Sequence, residues 1–141
     1  MNNKISGAIQ LMAIFLILAF ASCSKNPNPD RIKKKLTQGT WKIALAKVNG
    51  SNITSTFNNV KFQFSSAGSI SVSGEMNTAG SWYLGEDEKP AKMFLSFPAT
   101  ATALYGFTDD WAVQEITNRE CSLKRNDTQN KDDQLIFRRL D

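Results

Sequence analysis

The chain has 141 residues, 41% of them hydrophobic, with 17 Lys and Arg against 13 Asp and Glu and no histidine. That length suits one domain with one modest core. The lack of histidine removes the usual general base, the Ser–His and Cys–His nucleophile pairs and the commonest zinc ligand, and two cysteines cannot build a disulfide framework.

Lys4 and the amino terminus make a short positive start, followed by an uninterrupted apolar run over residues 11–21. The run falls short of the roughly 20 residues a membrane-spanning helix needs, and Ser6, Gly7 and Gln10 stop it extending backwards. A charged start, a short apolar core and a small-residue exit describe an export signal. The exit, Phe20-Ala21-Ser22-Cys23, resembles a bacterial lipobox, with Phe20 where Leu is commoner. The resemblance implies that residues 1–22 are removed and that Cys23 becomes a diacylglyceryl-modified N-terminus, further acylated with a chain such as palmitate. Two or three chains make attachment effectively permanent, since each buried methylene contributes about 0.8 kcal/mol. Ser24 after the cysteine, and the lack of acidic residues just beyond it, imply an outer-membrane anchor with the domain facing the periplasm.

Residues 23–35 carry Lys25, Arg31, Lys33, Lys34 and Lys35 against Asp30 alone. Residues 36–141 hold eleven bases and twelve acids. The basic balance therefore belongs to a tether, where it favours a solvated linker or anionic head groups, and is no nucleic-acid footprint. Pro27 and Pro29 disfavour helix within the tether. Asp30 is placed to cap a short helix with Ile32 and Leu36 on one face, and Gly39 to end it.

After Gly39 the apolar period becomes two. Trp41, Ile43 and Leu45 lead; then come Val60, Phe62 and Phe64, Ile70 and Val72, Trp82 and Leu84, and Met93, Leu95 and Phe97. Trp111 and Val113, Cys121 and Leu123, and Leu135 and Phe137 complete the series, with turn residues such as Asn49-Gly50 between the runs. Short strands with one apolar face predict an all-β, antiparallel up-and-down meander that closes on itself. Residues 98–108 show no clear period and fit a strand, a helical turn or a lid. Past Val113, strict alternation turns Glu115 inward, whereas a β-bulge near Gln114 turns Ile116 inward instead; the cost of an unpaired buried carboxylate favours the bulge.

Gly39-Thr40-Trp41 and Gly80-Ser81-Trp82 form a local repeat, read as glycines that turn the chain onto a barrel floor filled by tryptophan. With the Phe62-x-Phe64-x-x-x-Gly68 hairpin and the late Trp111-Ala-Val and Leu123, the pattern over residues 36–141 resembles the lipocalin-like domains of small lipoproteins in Bacteroidota. The resemblance implies a small barrel with a short N-terminal helix and a floor made by Gly39 and Trp41. It also implies a last-strand arginine, Arg138 or more readily Arg139, stacked over Trp41 as a cation–π contact. Thr108-Asp109-Asp110 only loosely matches that family's Thr-Asp-Tyr.

No catalytic, metal or cofactor constellation appears. Glu86-Asp87-Glu88 reads as a solvated hairpin tip, and Asp127, Asp132 and Asp133 lie in a polar loop without the spacing or glycine of an EF-hand. Cys121 reads as a small buried hydrophobe, with a reactive thiol as the alternative. Two functions remain. One is a pocket for a small hydrophobic ligand lined by Phe62, Phe64, Trp82, Leu95, Phe97 and Trp111. The other is a barrel filled by those side chains that presents its rim to an envelope protein. In either case a monomeric, non-enzymatic, membrane-anchored module without cofactor is expected. Cys23→Ala is expected to release the protein from the membrane fraction of its cells; unchanged co-sedimentation with membranes would refute the lipidation.

Overall fold

The computed structural model describes residues 26–86, 89–125, 129 and 132–140; residues 1–22, read above as an export signal, and Cys23, Asp87, Glu88 and Asp127 lie outside the described residues. Helix α1, Pro29–Leu36, is followed by β1 (Thr40–Val48), β2 (Ser51–Asn52) and a 3-10 turn (Thr54–Phe57). Then come β3 (Val60–Phe64), β4 (Ser69–Gly74), β5 (Thr78–Leu84), β6 (Lys92–Ser96), a four-residue helix α2 (Thr102–Tyr105), β7 (Asp109–Ile116), β8 (Glu120–Arg125) and β9 (Gln134–Leu140). From β3 to β9 each strand pairs antiparallel with the next, and β1 lies between β3 and β9. The seam between β1 and β9 runs from Thr40↔Leu140 to Lys47↔Gln134 and closes an eight-stranded barrel, small and lipocalin-like as expected. The little strand β2 pairs only with the end of β1.

α1 forms where the sequence offers a cap, though not the residue anticipated. Asn28, in extended conformation, accepts the Arg31 N–H through its side chain at 2.8 Å, and Pro29 takes the first helical position. Asp30 lies inside the first turn, and Lys33 to Lys35 occupy the last, both signs suited to the helix dipole. The helix therefore starts within the stretch read as tether. It buries Ile32 and Leu36 in the barrel core. Thr37, rather than Gly39, is its C-terminal cap. Gly39 serves the turn into β1 instead: its φ is +97°, and a β-carbon there would sit 2.7 Å from Arg139 Nε.

α1 seals one end of the barrel, and Trp41 locks it there. The Trp41 ring is wholly enclosed and its indole N–H donates to the Leu36 carbonyl at 2.9 Å. Trp82 lies at the same end, its N–H on the Ser65 carbonyl at 3.0 Å in the β3–β4 turn. The two Gly-x-Trp segments are not structurally equivalent. Gly80 is the third residue of β5 rather than its opening, and its missing side chain makes room for Phe97, whose ring would lie 2.7 Å from a β-carbon.

Two bulges adjust the inward phase. In β1 the register slips between Ile43 and Leu45, so Ala46 and Val48 turn inward and Leu45 is only half-buried, against the simple alternation. In β7 the slip between Val113 and Glu115 buries Ile116 and leaves Glu115 exposed, as the cost of a buried carboxylate demanded. Residues 98–108 become a lid: the single-turn α2 buries Leu104, and Phe107 follows it inward. Trp41→Ala is expected to cost about 3–5 kcal/mol, as truncation of a buried aromatic does. The midpoint of urea unfolding at unchanged slope measures it, and a near-neutral change would remove Trp41 from the floor.

Candidate functional site

The six side chains read as pocket lining are all buried in one apolar core. Phe64 meets Trp82 edge to face with centroids 5.7 Å apart, and Phe137 meets Phe62 at 5.4 Å and Phe64 at 5.5 Å in the same manner. Such contacts stabilise beyond the area they bury. A space wide enough for a water molecule would leave accessible surface on its walls; Phe62 and Trp111 have none, and Phe64, Trp82, Leu95 and Phe97 retain at most 4%. The end opposite α1 is closed as well, by Phe57 packed at a 41° tilt on Phe107 with centroids 5.1 Å apart, and with Phe97 edge-on to Phe107 at 6.2 Å.

That closed rim carries the polar centre of the molecule. Arg125 ends β8 on the inward phase of Cys121 and Leu123. Its guanidinium lies over the Trp111 ring, 4.5 Å from the centroid. Its Nε donates to Asp133 Oδ2 at 3.1 Å, one terminal nitrogen pairs with Asp109, and the other donates to the Gly106 carbonyl at 3.0 Å. Asp133, itself 1% exposed, accepts the Asn49 N–H at 2.6 Å and the Gly50 N–H at 3.0 Å. Those two residues have φ of 51° and 78°, the mirror-image turn expected of an Asn-Gly hairpin. One arginine and one aspartate thus bind together the β1–β2 turn, the lid, the start of β7 and the approach to β9.

The rim network was not anticipated, although alternation from Leu123 and from Leu135 places Arg125 and Asp133 on the inward face. The cation–π arginine differs from the expected one for the same reason. Arg139 stands opposite Trp41 in the β1–β9 register. It is only half-buried and fills the space beside Gly39. Trp41 is sealed beneath α1, and a guanidinium at that seam keeps its charge near water. The cation–π contact among the described residues belongs to Arg125 and Trp111.

The titrations fit a structural centre. Burial alone would raise the Asp109 carboxyl, but the Asp110 N–H and the Arg125 guanidinium outweigh it and hold the carboxyl below its usual value. A depressed carboxylate contributes stability above its unfolded pKa of about 3.9, lost as the pH falls through the lower folded value. Burial, aided by Glu120, pushes the Cys121 thiol up to about 12, so it stays protonated and inert at neutral pH. Among the described residues no group of three or more Cys, Asp or Glu is arranged to hold a metal ion, and no buried side-chain nitrogen or oxygen lacks a partner.

No family model matches the chain, and no curated protein or solved structure matches it significantly. Asp133→Ala is expected to destabilise the fold by about 3–5 kcal/mol, because it removes the buried partner of Arg125 Nε and frees the turn amides. Asp109→Asn, at the solvent-facing side of the same arginine, is expected to cost far less. Urea unfolding of the two variants checks the order, and equal losses would remove Asp133 from its central place.

Proposed function

We propose that this protein is an exported, lipid-anchored module that works through its outer surface and rim loops by holding an envelope protein partner, with its barrel interior filled by its own side chains. The observation that carries the reading is the sealed interior: Phe62 and Trp111 touch no water-sized space. Phe57, Leu104 and Phe107 close the rim, and Ile32 and Leu36 of α1 close the floor. A calyx for a hydrophobic ligand needs an opening and a cavity, and admitting one here requires displacing Phe107 and breaking the Arg125 network. The lipobox at Cys23 and the resemblance to lipocalin-like lipoproteins support the anchored, outer-membrane, periplasm-facing part of the reading.

Mass spectrometry of the mature protein under native conditions, purified from envelopes in mild detergent, tests it. The mass of the acylated chain with no further adduct is expected, together with one specific protein captured by crosslinking in cells. A stoichiometric hydrophobic adduct would overturn the filled-barrel reading in favour of a carrier.

A further inference from the structure

We propose that the α1 end of the barrel is a docking face for an anionic bilayer surface, which orients the barrel with its rim away from the membrane. The proposal rests on the anchored reading of Cys23. It adds a second contact, made by the folded domain itself.

The observation is the placement of charge. α1 buries only Ile32 and Leu36, and Arg31, Lys33 and Lys34 are left exposed on its outer side. The basic surface continues off the helix. Lys35 Nζ donates to the Asn118 side chain in the β7–β8 turn, and the next residue, the exposed Arg119, accepts the Arg139 N–H through its carbonyl at 2.8 Å. Arg138 and Lys42 face each other across the β1–β9 seam, both exposed. A stripe of cations thus runs from the helix, over one turn, to the barrel seam. Among the described residues, the acids on or beside it are Asp30 in the first turn of α1, the exposed Glu115 near the end of β7, and Glu120, which pairs with Arg138 at 3.3 Å with both side chains exposed; an exposed pair of this kind screens little. Glu86 flanks the other side of α1, near Asp30 and Lys33, so the stripe is one-sided. The rim carries both signs, with Glu75, Asp110 and Asp132 alongside Lys47, Lys61 and Lys124, and with Asp109 and Asp133 paired to Arg125.

The occupant follows from the leash. Five residues separate Cys23 from Pro29. At about 3.3–3.6 Å per residue the start of α1 cannot stray more than about 20 Å from the acylated cysteine. Attraction between exposed charges reaches about 8–10 Å at physiological salt. An anchored protein therefore keeps the stripe at or near the range of the head groups, where each Lys or Arg close to an anionic surface strengthens attachment about fivefold. A soluble acidic partner would gain nothing from this proximity.

The test uses the full lipidated protein in vesicles of phosphatidylcholine, with or without phosphatidylglycerol. A nitroxide is placed at the α1 end by Gln38→Cys or at the rim by Asn77→Cys; Cys121 is enclosed and does not label. With anionic vesicles at physiological salt, the Gln38 label is expected to relax strongly against a paramagnetic chelator lipid and the Asn77 label weakly. Molar salt or neutral vesicles should shrink the difference to the weaker bias that the tether alone imposes. Arg31→Gln with Lys34→Gln should lower the docked-to-free ratio about 25-fold, two charges at about fivefold each. Equal proximity of the two labels on anionic vesicles, or a proximity indifferent to lipid charge, overturns the docking face while leaving the anchor intact. Protein that floats free of both vesicle types overturns the anchored reading and the orientation with it.

Discussion

The closure of β1 on β9 is the constraint from which the rest of the structure follows. An antiparallel meander has two open edges, each a row of unpaired amides and carbonyls. Pairing Thr40 through Lys47 with Leu140 through Gln134 removes both. An eight-stranded ring is just wide enough for side chains to fill it, so closure also decides what the inward positions must be. Trp41, Phe62, Phe137, Trp111 and Phe57 supply that volume, and none retains more than 1% of its surface.

A closed ring still has two ends, and the chain treats them differently. The floor is sealed by an element that lies outside the strand pattern, a two-turn helix held by two apolar side chains and the Trp41 N–H on the Leu36 carbonyl. The rim is sealed by the lid and by an ion pair taken out of water. A buried pair of this kind gains little net stability over apolar residues. Its value here is geometric, since Asp133 satisfies the two amides of the Asn49-Gly50 turn while Arg125 holds the Gly106 carbonyl of the lid. Charge follows the same division, with a one-sided stripe of cations beside the helix and both signs at the rim.

The strands were legible because each buries a single face, and period two is the direct record of that. Where two neighbours are equally apolar the record becomes ambiguous. Leu45 and Ala46 satisfy an inward position alike on paper, so the β1 bulge left no trace, whereas in β7 the carboxylate of Glu115 made the bulge readable. The pocket-lining set was correctly placed inside, yet apolar residues at inward positions look the same whether they line a cavity or fill it. Asp30 and Asn28 are both good capping residues, and Pro29 at the first helical position decided for Asn28. Residues 98–108 had no period because they lie across the barrel end, where no alternation is imposed.

Taken alone, the sequence determined the all-β class, most of the inward positions, and the separation of a basic N-terminal stretch from a nearly neutral domain. Each of these is local, fixed by the spacing or chemistry of neighbouring residues. Only the tertiary structure decided that the interior is full, that Arg125 rather than Arg139 covers a tryptophan, and that Lys35, Arg119 and Arg138 belong to one surface. Those outcomes depend on distances between residues far apart in the chain, and they exist only once β1 has met β9 and the two ends have been closed.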